Sequence, residues 1–169
     1  GLIALFVECG RRRISFGQMA DTLTLAFPIA FTLIHIGCLL GRCGYGKEVA
    51  SLADYPSYLV AELPDMFGVI APRLMTQAFG IVTGFLLLLT AFILVRTVRR
   101  TGVSFWIMLA ALGIGTFALG FTLGDSILML GPLRLDQLFD LAIILIGIGG
   151  AYLALRSGSF ASSRRETIQ

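Results

Sequence analysis

The densest group of residues able to do chemistry lies between His35 and Lys47. His35 is the single histidine of the chain, and an imidazole accepts or donates a proton near neutral pH. It is therefore the candidate catalytic residue. In a second interpretation, a neutral His35 ring hydrogen-bonds to a neighbouring helix and only fixes packing.

Two cations, Arg42 and Lys47, follow His35 within the same segment. Together with Tyr45 and Arg73, they form the set that we predict to bind an anionic lipid headgroup. In a second interpretation, these cations only anchor the chain at a membrane surface. Glycines interspersed among them allow a tight turn and a close approach of the backbone to a ligand.

Three cysteines, Cys9, Cys38 and Cys43, do not make a disulfide framework, and no two of them are spaced as a CxxC pair. Cys38 and Cys43 have three interpretations: a disulfide on the oxidising side of a membrane, nucleophiles, or small packing residues. The sequence places no base beside them, which disfavours the nucleophiles. Acidic or histidine ligands are also missing beside them, so we expect no metal site and no cofactor.

The composition indicates what kind of fold must hold these residues. The 169 residues are 57% hydrophobic and only 14% charged, whereas soluble domains carry about 25% charged residues. Such a chain suits lipid as its outer solvent. The net charge of +3 lies in short basic clusters between apolar runs, which indicates membrane topology signals rather than a surface for nucleic acid.

Four apolar runs are long enough to cross a bilayer, which needs about 20 residues of helix. Because backbone groups in lipid must be satisfied internally, we expect helices and no membrane strands. We predict an all-α, polytopic transmembrane bundle over residues 1–155, with a cytoplasmic tail over residues 156–169. The predicted full spans are 22–40, 74–95, 103–124 and 138–155, and residues 1–9 form a partial span. The apolar start without methionine predicts that a longer chain precedes Gly1.

Two polar, turn-rich loops separate the predicted spans. Apolar groups at 58–60 and 66–70 of the outer loop, residues 41–73, predict a helix lying on the membrane surface. In the second loop, residues 125–137, we expect the apolar stretch 127–130 to dip back into the membrane.

Basic residues cluster at alternate ends of the predicted spans, and this gives an expected orientation. Nine of the thirteen fall on one side, which the positive-inside rule makes cytoplasmic. The C-terminus is therefore expected in the cytoplasm. The nine are Arg11, Arg12, Arg13, Arg96, Arg99, Arg100, Arg156, Arg164 and Arg165, and the other side holds Arg42, Lys47, Arg73 and Arg134.

Glycines recur at a spacing of four in two of the predicted spans. Gly80 with Gly84, and Gly120 with Gly124, form GxxxG pairs. Small residues let membrane helices approach closely, so we predict helix packing at these four positions.

The order of these landmarks resembles the C-terminal two-thirds of prolipoprotein diacylglyceryl transferase, a family of membrane enzymes. Residues 1–3 are similar to the end of the family's His-Gly-Gly-Leu-Ile stretch, and residues 11–21 to its cytoplasmic basic loop. Residues 36–46 resemble a signature variant, Ile-Gly-Cys-Phe-Leu-x-Gly-Cys-x-Tyr-Gly. Residues 71–77 stand where the family has His-Pro-Ser-Gln-Leu-Tyr-Glu, and residues 136–138 resemble the Gln-Leu that opens its last span.

The resemblance, which covers residues 1 to about 155, carries implications for location and activity. Members of the family move a diacylglyceryl group from phosphatidylglycerol to the lipobox cysteine of secreted lipoprotein precursors. The resemblance thus implies a multi-pass protein of the bacterial inner membrane with membrane phospholipid as a partner. It also implies the signature outside the cytoplasm.

The catalytic residues of the family pattern are largely replaced in this chain. His35 stands at the signature arginine, Cys38 at the signature asparagine, and Cys43 at the glutamate that follows. The other replaced positions are Ala71, Thr76, Gln77, Ala118 and Thr122. A transferase needs cations to hold the leaving glycerol phosphate and a base to deprotonate the thiol.

We therefore predict a non-catalytic family member, a structural or lipid-binding subunit of a larger membrane complex with other membrane-protein subunits as partners. The alternative is a divergent transferase that uses His35 as base or phosphate ligand and Arg42 or Lys47 against the headgroup. An enzyme would need a laterally open polar cavity near His35, whereas a structural subunit would bury its GxxxG pairs against another polypeptide. A small transporter is a third hypothesis, although no span carries the paired ionisable residues that coupling requires.

Overall fold

The computed structural model is a helical bundle with a layer of loops and hairpins at one end. It describes the backbone of residues 2–12, 15–125 and 127–166, and the side chains of 7–12, 15–125 and 127–156. A short 3-10 helix, Leu52–Asp54, lies between α2 and β1. The other elements are α1 Leu2–Arg12, α2 Phe16–Gly41, β1 Val60–Pro64, β2 Ile70–Leu74, α3 Thr76–Thr97, α4 Val103–Gly120, β3 Met129–Leu130, β4 Leu133–Arg134 and α5 Leu135–Glu166.

Within the described residues, four helices are long and apolar enough to cross a membrane: α2, α3, α4, and α5 over Leu135–Arg156. This confirms the predicted all-α polytopic bundle. Large apolar side chains such as Leu40, Phe85 and Leu145 are more than half exposed on these helices. Because water would disfavour so many exposed apolar groups, lipid is the solvent that suits the outside of the bundle.

Several boundaries differ from the sequence prediction. α2 begins already at Phe16, because the Ser15 side chain accepts a hydrogen bond from the backbone N–H of Gln18 and caps the first turn. α4 ends at Gly120, before the predicted end at Gly124, whose backbone is used in loop pairing. α5 continues to Glu166, so most of the predicted tail is helical. Arg13, the side chains of Arg164 and Arg165, and residues 167–169 lie outside the described part.

The predicted surface helix in the outer loop is wrong, because this stretch forms an antiparallel hairpin. Val60 of β1 pairs with Leu74 of β2 at its base. The carboxylate of Asp65 accepts hydrogen bonds from backbone N–H groups of the turn, and Gly68 has a φ of 82°. An aspartate followed by a glycine with positive φ favours a turn over a continuing helix. In the stretch 127–130, Met129 and Leu130 form β3, which pairs with β4. The expected dip of this stretch into the membrane stays a prediction.

Apolar packing and polar links between helices hold the bundle together. Leu87, Ala91 and Leu94 of α3 form a core cluster with Met108 of α4. At the α4–α5 interface, the Thr116 hydroxyl donates to the Asp140 carboxylate at 2.7 Å. A hydrogen bond between helices in an apolar medium fixes their register.

Contacts between chain-distant residues define the two ends of the bundle. At one end, called the basic end, Asp21 of α2 accepts a hydrogen bond from the backbone N–H of Gly102 at 2.6 Å. At the same end, Arg100 donates to the backbone oxygen of Leu155. The opposite end, called the loop end, carries residues 42–75, 121–125 and 127–134. The candidate headgroup-binding residues all lie at the loop end.

Candidate functional site

The segment 45–49 lies between β2 and the turn that follows α4. On one side, the backbone N–H of Gly46 donates to the oxygen of Leu74 at 3.0 Å, and on the other side Lys47 N–H donates to the oxygen of Thr122 at 2.9 Å. A side chain at position 46 would overlap the Leu74 backbone. The glycine thus permits the close approach that brings the segment into the centre of the loop end.

A disulfide between Cys38 and Cys43 ties the end of α2 to this segment. Of the three sequence interpretations, the structure contains the disulfide, so neither sulfur is a free thiolate for nucleophilic attack. The backbone oxygen of Cys43 also accepts a hydrogen bond from Gln77 Nε2 at 2.5 Å. The loop is therefore bound to both α2 and α3. Cys9 is a free, buried cysteine.

A cavity of about 560 Å³ opens at the loop end. Its wall contains the cations Lys47, Arg73 and Arg134 together with the carboxylates Glu48 and Asp125. The volume falls within the range of about 300–1,000 Å³ that is usual for small-molecule sites. The cavity is therefore the candidate functional site.

Arg73 is buried beside the cavity and is held by three neighbours. Its Nη2 lies 3.3 Å from Asp65 Oδ2 and 3.5 Å from Glu48 Oε2, and its guanidinium lies 5.0 Å from the centre of the Tyr45 ring. The backbone N–H of Val69, with further backbone bonds and the Arg73 charge, lowers the pKa of Asp65. Arg73 Nε is buried without a partner among the described residues.

Arg134 is the second buried cation of the cavity, with a side chain that is 7% exposed. Its Nη2 lies 3.0 Å from both Asp136 Oδ2 and Asp125 Oδ1. The hydrogen bonds that the guanidinium donates to Asp136, with support from Asp125, raise the pKa of Arg134. Below it, the Gln137 amide accepts from Arg134 N–H at 3.1 Å and donates to the oxygen of Phe117. Both buried arginines are thus neutralised by carboxylates.

Arg42 and Lys47 are exposed cations, in contrast to the two buried, ion-paired arginines. Both side chains are exposed, and within residues 7–12, 15–125 and 127–156 neither has a hydrogen-bond or ion-pair partner. Arg42 caps α2 with a φ of 53°, a left-handed conformation that is usually taken by glycine. Lys47 lines the cavity, and Arg42 lies outside the cavity wall.

His35 lies away from the cavity wall. It is half-buried on α2, with Nδ1 2.9 Å from the oxygen of Phe31 and its ring centre 4.4 Å from that of Phe31. The imidazole ring also lies against Gly80 of α3. The structure thus brings Lys47 and Arg73 together, with Tyr45 next to Arg73, but does not bring His35 to them.

The four glycines of the GxxxG pairs lie against other parts of the same chain. Gly80 faces His35, and Gly84 faces Thr32, at the α2–α3 contact. Gly120 faces the Gln137 side chain, and Gly124 lies against the backbone of segment 45–49. These positions are therefore not available to another polypeptide.

The sequence analysis missed Arg134, with Asp125 and Asp136, as a group that shapes the cavity. A partial signal was present, since Asp136 follows Arg134 by two residues at the start of a span. Interpreting Arg134 only as a charge that sets membrane topology does not predict its ion pairs with Asp125 and Asp136. Gln77 was also missed, because its partner Cys43 is 34 residues away.

Comparison with protein families gives one match over nearly the whole chain. The sequence model for prolipoprotein diacylglyceryl transferase matches residues 1–153. Curated proteins and solved structures give no match. The matched region contains all four candidate spans up to residue 153 and the complete loop end, so the chain belongs to the prolipoprotein diacylglyceryl transferase family.

Proposed function

We propose that this chain is a non-catalytic member of its family that binds an anionic phospholipid headgroup at the loop end. The observation that carries the proposal is the contrast among the cations of the cavity. Arg73 and Arg134 are paired with carboxylates, while Lys47 has no side-chain partner in the described structure. An unpaired lysine at the mouth of a polar cavity attracts a phosphate group.

The positions and ion pairs of the candidate catalytic groups support the proposal that the chain has no transferase activity. A base must reach the thiol that it deprotonates. The His35 ring is engaged by Phe31 and Gly80 outside the cavity wall. The carboxylates of Glu48 and Asp125 line the cavity, but each is ion-paired with a buried arginine.

Lipid binding is favoured over a purely structural role. A structural subunit would present its GxxxG pairs to another polypeptide, but the chain itself fills the space at Gly80, Gly84, Gly120 and Gly124. The cavity offers both chemical parts that a phospholipid needs. Cations lie on its wall, and apolar side chains such as Phe121, Ile127 and Met129 line the remainder.

The proposed orientation has the loop end outside the cytoplasm and the C-terminus inside, in a bacterial inner membrane. Arg96 lies in the last turn of α3, and Arg99 and Arg100 lie in the link between α3 and α4, so all three are at the basic end, which fits the positive-inside rule. A second observation supports the same orientation. The Cys38–Cys43 disulfide lies at the loop end, and disulfides persist in oxidising compartments outside the cytoplasm.

A lipoprotein-maturation assay tests the catalytic part of the proposal. In cells depleted of their own transferase, expression of this chain is expected to leave lipoprotein precursors unmodified. Restored maturation that is lost on His35→Ala would instead establish the alternative, a divergent phosphatidylglycerol–prolipoprotein diacylglyceryl transferase. The necessary control is that the original chain and its His35→Ala variant both insert into the membrane, which is measured by fractionation.

Native mass spectrometry of the purified protein tests the lipid-binding part. We expect phosphatidylglycerol to be retained better than phosphatidylcholine, and Lys47→Gln to reduce this preference. Arg99→Gln is the matched control, because it removes the same charge from an exposed position at the basic end. Equal losses in both variants would contradict a headgroup site at the cavity.

A further inference from the structure

The turn of the β1–β2 hairpin presents a compact set of apolar side chains to its surroundings. Met66, Phe67, Val69 and Ile70 are 66%, 83%, 58% and 66% exposed. No charged residue occurs from Met66 to Pro72. Single exposed apolar residues are ordinary, but four at the tip of one hairpin mark a surface that contacts another apolar phase.

Hydrogen bonds hold this turn in one shape. The Asp65 carboxylate accepts from the backbone N–H groups of Phe67 at 2.8 Å and Val69 at 2.9 Å, and Asp65 N–H donates to the oxygen of Val69. Since these backbone groups are already satisfied, moving the turn into an apolar medium costs less than it would for an open loop. Asp65 is also paired with Arg73, which ties the turn to the cavity wall.

The base of the hairpin lies at the level of the membrane-spanning part of α3. The backbone N–H of Met75 donates to the oxygen of Leu59 at 2.8 Å, and Met75 alone separates β2 from α3. Tyr58 and Leu59 also share an apolar groove of about 420 Å³ with Val82 of α3. At 1.5 Å per residue, Val82 lies about 9 Å along the helix from its start.

We infer that the hairpin tip, residues 66–70, inserts into the interfacial layer of the bilayer leaflet at the loop end. The apolar groove continues from lipid-facing α3 onto the residues that precede β1, so the hairpin extends a surface that already contacts lipid. The exposed acid of the hairpin, Glu62, lies on β1 outside the tip. An uncharged, hydrogen-bonded tip beside four spans fits a bilayer better than a partner protein, which would have to be recruited.

This insertion has a structural consequence for the cavity. Because Asp65 joins the tip to Arg73, a tip held at the interface fixes Arg73 at the height of the lipid headgroups. The inference does not require that a lipid occupies the cavity. Failure of headgroup binding and failure of tip insertion are therefore distinguishable.

Tryptophan fluorescence tests the inference in nanodiscs of phosphatidylcholine and phosphatidylglycerol. The chain has one tryptophan, Trp106, so Phe67→Trp in a Trp106→Phe background reports on the tip alone. Phe85→Trp, on the exposed face of α3, is the matched reference for a residue deep in lipid. If Trp106→Phe fails to fold, Phe67→Trp is measured with Trp106 present and the signal of the unmodified chain is subtracted.

The expected result is a blue-shifted emission for the tip that is quenched more by a doxyl group high on the lipid acyl chain than by one low on it. The Phe85→Trp reference should show the reverse order. Water-like emission with full quenching by iodide would overturn the inference. A blue shift without quenching by either lipid label would also overturn it, because a protein surface would then cover the tip.

Discussion

The imidazole ring of His35 occupies the space that a side chain on Gly80 would fill. A Cβ built on Gly80 would overlap the His35 ring, and the next turn repeats the arrangement with Thr32 against Gly84. The residue type that first suggested proton transfer is therefore part of the α2–α3 contact. Its bond to the oxygen of Phe31 holds the ring in that position.

Replacing Gly80 with alanine should destabilise the bundle because the added Cβ would overlap the imidazole, which is held in place by its bond to the oxygen of Phe31. Overpacking of this kind costs about 1–3 kcal/mol in the free energy of unfolding. The measurement is denaturant unfolding in detergent. Gly37→Ala is the matched control, since no heavy atom lies within 4 Å of its added Cβ. Equal stability of the two variants would show that His35 does not pack on Gly80.

Labelling of thiols should separate Cys9 from the other two cysteines. In the unfolded but unreduced chain, we expect a maleimide to modify Cys9 alone, because Cys38 and Cys43 are bonded to each other. Reduction should raise the number of labels to the full three cysteines of the sequence. Cys38→Ser should free Cys43 and cost about 2 kcal/mol of stability, as loss of a short disulfide loop does. Three labels before reduction would contradict the disulfide.

The membrane spans are predictable from the sequence because length and apolarity alone decide whether a helix crosses a bilayer. The outer hairpin is not, because apolar runs as short as 58–60 and 66–70 fit a helix and a strand equally well. The turn signal lies in Asp65 and Gly68, because an aspartate followed by a glycine favours a turn over a continuing helix.

The cavity could be predicted only in part. The sequence shows that Lys47 and Arg73 are cations at a span boundary. It does not show that Arg73 is ion-paired and Lys47 exposed, because this difference depends on tertiary contacts. Arg73 is neutralised because the hairpin returns Asp65 to it, and Gln77 is buried because a distant loop supplies the oxygen of Cys43. Periodicity and spacing hold no information about such pairs.

Loss of the charge should lower the stability of the fold at Arg134 and leave it nearly unchanged at Lys47. Arg134→Leu leaves Asp125 and Asp136 without their cation, so we expect a loss of about 1–3 kcal/mol in unfolding free energy. Lys47→Met removes an exposed group without a described partner, so its stability should stay within about 0.5 kcal/mol of the original chain. Thermal unfolding in detergent checks both. A stable Arg134→Leu variant would show that its ion pairs contribute nothing to the fold.

The hairpin should lose stability in acid through Asp65. The backbone N–H of Val69, together with other backbone bonds and Arg73, lowers the folded-state pKa of Asp65 below its ordinary value of 3.8. Because its pKa is lowered on folding, ionised Asp65 stabilises the folded state. This stabilisation is complete above pH 3.8 and disappears as the pH falls through the folded-state pKa. The melting temperatures of the original chain and Asp65→Asn should therefore converge as the pH falls below that value. A difference between them that is independent of pH would contradict this role.

Asp21 should stabilise α4 from outside that helix. Its two carboxylate oxygens accept hydrogen bonds from the backbone N–H groups of Gly102 and Phe105, which have no partners within the first turn of α4. Since loss of an N-terminal cap costs about 0.5–2 kcal/mol, Asp21→Ala should lower the unfolding free energy by that amount. Asp21→Asn keeps one acceptor oxygen and should lose less.

Thr22→Ala is the neighbouring control for this prediction. The Thr22 hydroxyl is exposed and bonds only within α2, to the oxygen of Met19. Hydrogen exchange localises the effect, because only Asp21→Ala should speed exchange at Gly102 and Phe105. If both variants speed exchange equally, the carboxylate is not the cap, and the link between α3 and α4 must be held at the basic end by other contacts, such as that of Arg100 with Leu155.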